Sequence, residues 1–498
     1  MIFFKKYEQT IIVIFLVLIN FIIKGVYLSS NSLAGDEPFS VYYAQMNIGS
    51  IINILSEGNN PPLYEIILHF WIQIFGISEF SVRMPSLIFS CLTVFFIYKI
   101  GVKFINSRVA FYASVIFIFS NYQIYFAHEA RVYALLGLLT AISMYVFLGI
   151  IYDDNINSKS VNNHKSNDKA ITKFIILAGV NTLIIYSHYF GFFVLMVQVL
   201  FFMFHLQFLF KNWKKIILYL GIIILLYSPN ILVLFNRFHE SSGDTWVQPP
   251  RGLESVYNML WNFSNTPVVT VCIITLLIIS IVKHIVNYKK EVKKIYTGFI
   301  IFWFGFIFIF MFGISYWIPM FMDRYLMPAS IAFPLLVGIG ADYSIQKSKY
   351  KFIIPIAVIL LYVVTVRPNN SNKREVKEMI LKIKELKTSN TIVYFCPDWF
   401  KMNFVYYYNV NYFKAHDDDS MGNRINQYLQ LENIYPISNY NQIDTKLIKS
   451  ADKFIYLDAA ADFHSPNNNI RKKLELSYKL KSEYKFHEIF NVYEYELK

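Results

Sequence analysis

Apolar runs long enough to cross about 30 Å of hydrocarbon recur from the N-terminus to about residue 366. The chain is 55% hydrophobic and 16% charged, which is more apolar surface than one soluble core can bury. The sequence therefore predicts a mainly α-helical, polytopic membrane protein. Eleven spans are expected, near residues 10–28, 83–98, 109–126, 132–152, 174–188, 190–210, 216–235, 267–282, 296–318, 325–341 and 352–366.

Two segments near the N-terminus each allow a second interpretation. Residues 32–34 are compatible with signal-peptidase cleavage, but the preceding apolar run exceeds a usual signal-peptide core, which favours an uncleaved first helix. The run from Leu63 to Phe75 has about thirteen residues and contains Glu65, His69 and Gln73. It is either a short span or an interfacial helix.

The basic residues predict the orientation. If 63–75 does not cross the membrane, the N-terminus and the loops at 99–108, 153–173, 211–215, 283–294 and 347–351 share one side. They hold 20 of the 26 Lys and Arg residues before residue 367. Basic residues are retained on the cytoplasmic side during insertion, so this side is predicted to be cytoplasmic. The same rule accounts for the excess of basic residues in the membrane part of the chain, and nucleic-acid binding is not expected.

The opposite, extracytoplasmic side is predicted to be rich in arginine. Nineteen of the 20 cytoplasmic basic residues are Lys, whereas five of the other six are Arg83, Arg131, Arg237, Arg251 and Arg324. Arg grips phosphate or carboxylate with a planar fork, whereas Lys offers a point charge. The extracytoplasmic face is therefore expected to bind an anion, unless these arginines only snorkel at helix ends.

Composition divides the chain into two predicted domains. Residues 1–366 form the membrane domain, with outer loops at 29–82 and 236–266 and a polar cytoplasmic linker at 153–170. Residues 367–498 have ordinary mixed composition and predict an extracytoplasmic α/β domain. Its expected elements are a helix at Lys373–Leu386 and strands at Thr391–Phe395, Lys453–Leu457, Tyr484–Phe490 and Val492–Leu497.

Two adjacent carboxylates, Asp36 and Glu37, follow the first span and precede Pro38 and a helical pattern. One carboxylate suffices to cap a helix that has proline in its first turn. The other is expected to face a cavity at the membrane surface as a general base, because loss of water raises the pKa of a carboxyl group. Capping alone is the alternative.

Further ionisable groups lie at other predicted outer helix ends. His128, Glu129 and Arg131 fall where the third span ends and the fourth begins, and burying them costs several kcal/mol unless they are paired or ligated. Either Glu129 pairs with Arg131, or Arg131 and His128 bind an anionic ligand while Glu129 orients them. Arg324 and His188 lie at two more helix ends on the same predicted side.

Two groups have the residue types of a metal site. Glu65 and His69 lie four residues apart on one helix face, but no third ligand is evident, which favours a buried or interfacial polar pair. The acidic run from His416 to Asp419 lies between predicted elements, where a solvated loop is typical. No metal or other cofactor is assigned, and a divalent metal stays open.

Five short motifs occur in a recognisable order: Gly35-Asp36-Glu37, Asn60 to Tyr64, Glu79 to Ser86, His128 to Tyr133 and Asp323 to Pro328. This order resembles that of the bacterial C-type glycosyltransferases, which include relatives of protein O-mannosyltransferases and of lipid A aminoarabinose transferase. The match is strong over about residues 31–140 and diffuse to 366. The resemblance implies a GT-C-like membrane fold.

The resemblance also implies an activity. It points to an enzyme of the bacterial plasma membrane that transfers a sugar, with inversion, from a polyprenyl-monophosphate donor to a lipid, glycan or protein hydroxyl on the extracytoplasmic side. By motif, Asp36 is the implied base with Glu37 in support, and Arg131 is the implied phosphate ligand. The further candidates are His128 and Arg324 for the phosphate, and Glu129, Tyr64, His188 and Arg83 in supporting roles.

Two other functions stay open. A transporter or flippase for lipid-linked sugars would carry polar groups near the midplane, often in repeated halves, whereas the ionisable groups here lie mostly at one surface. An oligosaccharide polymerase or ligase would use a pyrophosphate-linked donor on the same side. One departure from the family pattern is Asn60, which stands where aminoarabinose transferases commonly have Lys, and it puts an aminoarabinose donor in doubt.

Overall fold

The protein is described by a computed structural model that defines residues 2–58, 60–157, 164–241, 247–286, 292–344, 350–370, 373–417, 422–461, 469–486 and 490–496. Its helices are, in chain order, α1 (Ile2–Gly25), α2 (Glu37–Tyr43), α3 (Ile48–Ser56), α4 (Leu63–Phe75), α5 (Glu79–Ile100), α6 (Ser107–Ile118), α7 (Asn121–Ala127), α8 (Tyr133–Asn157), α9 (His164–Ser187), α10 (Phe192–Phe204), α11 (Leu206–Tyr227), α12 (Ile231–Ser241), α13 (Leu253–Ser264), α14 (Pro267–Val286), α15 (Val292–Ile314), α16 (Met327–Ser330), α17 (Ala332–Ser344), α18 (Ile353–Thr365), α19 (Val376–Leu386), α20 (Lys401–Tyr408), α21 (Asn423–Leu431), α22 (Thr445–Lys449) and α23 (Ile470–Ser477).

The chain forms two compact units. The helical unit comprises Met1–Tyr27, Leu55–Tyr64 and Arg83–Asn370. The α/β unit comprises Leu28–Ile54, Glu65–Val82 and Ser371–Lys498. The sequence grouped residues 29–82 with the membrane domain because they follow the first span. In the structure most of this segment packs with the C-terminal part of the chain instead.

Long apolar helices dominate the helical unit. Within the described residues, six are long and apolar enough to cross a membrane, or up to nine if each of three bent helix pairs counts as one span. Two further predicted spans, 190–210 and 352–366, coincide with the shorter apolar helices Tyr189–Phe204 and Ile353–Thr365. The prediction of a multi-pass helical protein is confirmed. The total of eleven crossings and the orientation stay predictions.

Helix α4 has 13 residues. At 1.5 Å per residue it is about 20 Å long, which is shorter than the hydrocarbon layer. This length fits the interpretation of 63–75 as a segment that does not cross.

Helices extend into three segments that the sequence predicted as loops or a linker. The loop at 211–215 lies inside α11, and the chain turns instead at His205, whose ring stacks on Phe201 with centroids 3.9 Å apart. The outer loop at 236–266 contains α13, which meets the next helix at an angle of 101°. In the linker at 153–170, α8 continues to Asn157 and α9 begins at His164, while residues 158–163 lie outside the described residues.

A buried polar network joins four helices of the helical unit. The Asn181 amide donates to Gln198 Oε1 and to the Tyr219 hydroxyl, both at 2.7 Å, and its Oδ1 accepts from the Ser143 hydroxyl at 2.6 Å. Gln198 Nε2 donates to the Ser143 hydroxyl at 2.8 Å. All four side chains are fully buried. Hydrogen bonds between helices hold membrane helices together because lipid offers no alternative partner.

Replacing the central amide of this network should destabilise the protein. The Asn181→Leu variant leaves its partners partly unsatisfied, and we expect a loss of about 1–2 kcal/mol of unfolding free energy, seen as a lower Tm of the detergent-solubilised protein. The matched control is Thr275→Val, because the exposed Thr275 hydroxyl bonds only its own helix at Val271 O. An Asn181→Leu protein as stable as this control would contradict the prediction.

The α/β unit contains a five-stranded sheet. Its strands are β1 (Thr391–Cys396), β2 (Ile434–Pro436), β3 (Lys453–Ala459), β4 (Lys479–Phe486) and β5 (Phe490–Glu496), in the spatial order β2-β1-β3-β5-β4. β2, β1 and β3 are parallel, and β5 runs antiparallel to both β3 and β4. All six residues of β1 are buried, as expected for a central strand. The C-terminal part of the chain therefore contains a sheet and helices, as the sequence predicts for an α/β domain.

The predicted elements of this unit differ from the observed ones mainly at their ends. The helix expected from Lys373 begins at Val376, and the strand expected at Tyr484–Phe490 is displaced to Lys479–Phe486. Residues 487–489 of that predicted strand lie outside the described residues. β4 alternates exposed and half-buried side chains, so its hydrophobic content is too low to stand out in the sequence.

Candidate active site

The adjacent carboxylates lie in a short turn of the α/β unit, which we name the carboxylate loop (residues 33–37). Gly35 has a φ of +61°, a conformation that glycine adopts without strain. Glu37 is buried, and its Oε2 accepts a hydrogen bond from the Ala34 N–H at 3.2 Å. Asp36 precedes α2, is exposed, and makes no capping hydrogen bond. The two carboxylates therefore have different surroundings, and the hydrogen bond from Ala34 to Glu37 stabilises the turn.

Helix α20, almost 370 residues further along the chain, holds the carboxylate loop in place. The Leu33 N–H donates to the Tyr407 hydroxyl at 2.6 Å, and the Asn403 amide donates to the Gly35 carbonyl at 3.2 Å. Asn403 is fully buried, and the neighbouring Phe404 ring stacks on Phe395 of β1 with centroids 5.0 Å apart. The sheet thus fixes α20, and α20 fixes the backbone on both sides of Ala34.

Tyrosines of α20 also contact the segment before α5. The Tyr406 hydroxyl donates to the Ile77 carbonyl at 2.7 Å, and the Tyr407 hydroxyl lies 3.3 Å from Glu79 Oε1. The sequence did not single out Asn403, Tyr406 or Tyr407. The consecutive tyrosines 406–408 were a visible signal, but nothing local pairs them with residues 33–37.

Helix α2 is fastened to α4 at two points one helical turn apart. The Ser40 hydroxyl donates to Glu65 Oε1 at 2.7 Å, and His69 Nδ1 bonds the Ala44 carbonyl at 2.8 Å. Because a carbonyl oxygen only accepts, Nδ1 carries the hydrogen. Glu65 and His69 are both buried. The interpretation of Glu65 and His69 as a buried polar pair is confirmed.

The helical unit brings Arg131, Arg324 and His188 together, and we name these residues the cationic cluster. The charges of both arginines act on the His188 ring, which is 2% exposed. The Arg324 guanidinium lies 3.4 Å from the Tyr133 hydroxyl and 5.8 Å from the centre of the Tyr325 ring. The His188 ring contacts both tyrosines, with centroids 5.9 and 5.7 Å apart. Tyr133 and Tyr325 therefore lie beside both the Arg324 charge and the His188 ring.

Two turns position the members of the cationic cluster. A Cβ on Gly191 would meet Ile184 Cγ2 at 2.3 Å and Ile184 O at 2.9 Å, so only glycine allows the tight turn at His188. Before Arg324, the Asp323 carboxylate accepts the Arg324 N–H at 2.7 Å, and the Tyr122 hydroxyl donates to the Asp323 carbonyl at 2.7 Å.

The remaining predicted residues are also in the helical unit but in different surroundings. His128 is buried, and its Nε2 donates to the Lys24 carbonyl at 2.6 Å, which leaves only Nδ1 for a ligand. Glu129 accepts the Ser86 hydroxyl at its backbone carbonyl at 2.7 Å and is partly exposed. Arg83 is 1% exposed and Tyr64 is fully buried.

No group of three or more His, Cys, Asp or Glu side chains suited to a metal ion occurs among the residues that the structure describes. Of the acidic run 416–419, Asp417 is exposed, and Asp418 and Asp419 lie outside the described ranges. The candidate groups are therefore a carboxylate pair in the α/β unit and a set of cations in the helical unit.

Comparison with known proteins identifies the fold. Residues 59–232 match the model of the family described as dolichyl-phosphate-mannose-protein mannosyltransferase. ArnT from Cupriavidus metallidurans in the apo state matches with a TM-score of 0.59 and 10% identity over 97% of both chains. The same protein bound to undecaprenyl phosphate matches with a TM-score of 0.56 at 10% identity, again over 97% of both chains. The Archaeoglobus fulgidus oligosaccharyltransferase tethered with an acceptor peptide matches with a TM-score of 0.54 and 11% identity, over 100% of this chain and 75% of that chain.

The fold is therefore that of the GT-C-like membrane glycosyltransferases, and the resemblance predicted from the five motifs is confirmed. Within that class, the segment from residue 59 to 232 carries the signature of the mannosyltransferase family named above. No functionally curated sequence matches the chain.

Removing one hydroxyl should loosen the carboxylate loop. In the Tyr407→Phe variant the Leu33 N–H loses its partner, and a hydrogen bond of this kind contributes about 1 kcal/mol. We expect the amide hydrogens of residues 33–37 to exchange about fivefold faster, measured by mass spectrometry. The matched control is Tyr408→Phe, whose hydroxyl bonds Glu432 instead. Equal exchange in both variants would contradict the role given to Tyr407.

Proposed function

We propose that the protein is an inverting glycosyltransferase that moves a sugar from a polyprenyl-monophosphate donor to an acceptor hydroxyl on the extracytoplasmic side of the bacterial plasma membrane. The observation that carries the proposal is the cationic cluster. The charges of its two arginines both act on one buried histidine, and two tyrosines contact this histidine and Arg324. Fixed guanidinium groups in a partly desolvated setting favour a phosphate over water as their partner.

The donor phosphate is the leaving group in this reaction. Arg131 and Arg324 stabilise the negative charge that collects on the phosphate oxygen as its bond to the sugar breaks. The ArnT structure bound to undecaprenyl phosphate supports a lipid monophosphate as the ligand of this fold. His188 lies within the electrostatic influence of both arginines, whereas His128 contributes only through Nδ1.

The acceptor is activated by a carboxylate. Asp36 takes the proton of the acceptor hydroxyl, the hydroxyl oxygen forms a bond to the anomeric carbon, and the bond from that carbon to the phosphate oxygen breaks with its electron pair. One displacement inverts the anomeric configuration. The exposure of Asp36 and the inward bond of Glu37 to Ala34 support this division of roles.

Donor binding should depend on the cationic cluster. For Arg131→Ala we expect the Kd for undecaprenyl phosphate to rise at least about tenfold, because a hydrogen bond to a charged group contributes about 1.5–3 kcal/mol. The measurement is microscale thermophoresis on the full detergent-solubilised chain. The control is Arg367→Ala, an exposed arginine of the same unit. Unchanged affinity of the Arg131→Ala protein would instead assign this arginine a purely structural role.

Turnover should depend on Asp36. The Asp36→Asn variant keeps nearly the same shape but cannot accept the hydroxyl proton, so transfer should fall at least about 100-fold while undecaprenyl phosphate affinity stays within about twofold. Transfer is followed in membranes supplied with radiolabelled polyprenyl-phosphate sugars. The control is Asp452→Asn, an exposed carboxylate at the start of β3. Near-normal turnover in Asp36→Asn would remove Asp36 as the base.

The same assay distinguishes the other candidate functions. A flippase would move labelled lipid across vesicle membranes without forming a new glycosidic bond, and this movement would persist in Asp36→Asn. A polymerase or ligase would require a pyrophosphate-linked donor, so its product would appear only when that donor replaces the monophosphate.

A further inference from the structure

An open cleft of about 590 Å³ lies within the α/β unit, at the C-terminal end of α2. Its volume is in the range typical of small-ligand pockets. Three segments line it: residues 45–48, the side of α4 that carries His69 and Gln73, and residues 415–417. Two motifs that first suggested a metal site, Glu65–His69 and His416–Asp419, thus each contribute to one cleft.

The His69 ring and the Gln73 amide fix each other's orientation. His69 Nδ1 donates to the Ala44 carbonyl, so Nε2 is the acceptor of the neutral ring. Gln73 Nε2 donates to this Nε2 at 2.7 Å. With its nitrogen held by the histidine, the Gln73 amide presents Oε1 as a hydrogen-bond acceptor. Gln73 is exposed and lines the cleft.

On the wall formed by residues 45–48 and 415–417, hydrogen bonds again fix the orientation of acceptor oxygens. Gln45 Nε2 donates to the Phe413 carbonyl at 3.0 Å, which leaves Oε1 as its acceptor. Asp417 Oδ1 accepts the Asn47 N–H at 2.7 Å, and the Asn47 side chain also bonds this carboxylate. The hydrogen bond from Asn47 lowers the pKa of Asp417, so its carboxylate is charged at neutral pH. Ile48, 38% exposed, adds a small apolar surface.

This pattern excludes two kinds of ligand. Both ring nitrogens of His69 already have hydrogen-bond partners, and among the described residues that line the cleft this leaves only His416 and Asp417, too few ligands for a metal ion. Its one charged carboxylate and its acceptor oxygens repel phosphate and other anions. A ligand that supplies several hydroxyl donors and no negative charge satisfies these oxygens.

We propose that this cleft binds the carbohydrate part of the acceptor, as a neutral, hydroxyl-rich saccharide. The inference rests on the proposed function for the statement that this saccharide is the acceptor. Gln45, Gln73 and Asp417 receive its hydroxyl hydrogens. The acceptor is therefore a glycan or a glycolipid rather than an unglycosylated protein or a simple lipid alcohol.

The position of the cleft on α2 fits this role. Asp36 precedes the helix and Gln45 follows it, nine residues later. At 1.5 Å per helical residue these two positions are about 13 Å apart along the helix axis. A short oligosaccharide spans this distance, so a sugar held in the cleft presents a hydroxyl of the same chain near Asp36. The hydrogen bonds from α2 to Glu65 and His69 hold this helix in a fixed position relative to α4.

The test combines saccharide binding with kinetics. Fluorescently labelled full-length protein in detergent is applied to an array of neutral di- to tetrasaccharides, and the double variant Gln73→Leu/Asp417→Asn is compared with the unchanged chain. We expect at least about tenfold weaker binding in the double variant. Both altered side chains are exposed, and Gln430→Leu, an exposed glutamine on α21, is the matched control.

Kinetics separate this inference from the proposed function. The double variant should raise the acceptor KM while kcat stays nearly unchanged, whereas Asp36→Asn should lower kcat and leave array binding intact. Transfer with unchanged acceptor KM and unchanged array binding in the double variant would overturn the saccharide cleft and leave the transferase standing. The saccharide cleft would also be overturned if the protein without substitutions were active in transfer but bound no saccharide on the array. Saccharide binding lost in the double variant, without transfer from any donor, would support the cleft and refute the proposed function.

Discussion

Hydrocarbon cannot hydrogen-bond the polypeptide backbone, and the rest of this structure follows from that constraint. Within the helical unit the chain is helical through its apolar runs, and the polar side chains that remain inside bond one another, as Asn181, Gln198 and Tyr219 do. Ionisable groups are concentrated at helix ends. The cationic cluster arises there, at the turns before α8, α10 and α16, where arginine can be held among aromatic rings without crossing lipid.

The conformation of the carboxylate loop depends on a helix that is distant in the sequence. Its sequence supplies a glycine for the turn and two carboxylates, but its conformation is set by α20, which is itself packed against the central strand of the sheet. A base for transfer must be held still relative to the hydroxyl that it deprotonates. The C-terminal part of the chain, which the family resemblance left without a role, therefore takes part in forming the candidate site.

Motifs with the residue types of a metal site prove to have another use. His69 fixes α2 through the Ala44 carbonyl and orients Gln73, and Asp417 fixes the backbone at Asn47. In each case a side chain that binds metals elsewhere is occupied by a hydrogen bond that arranges a neighbour. The resulting cleft carries hydrogen-bond acceptors fixed in orientation, which suits recognition of hydroxyl groups.

The sequence by itself determined the membrane class, most of the spans, the α/β nature of the C-terminal part and the motif order that identifies the fold. These properties depend on local hydrophobicity and on short contiguous patterns, which can be read without coordinates. Tertiary structure decided that residues 28–54 and 65–82 pack with the C-terminal sheet, that Asn403 and Tyr407 hold residues 33 and 35, and that His205 rather than 211–215 is the turn. Each of these depends on contacts between residues distant in sequence or on the geometry of a single turn, and hydrophobic periodicity carries no information about either.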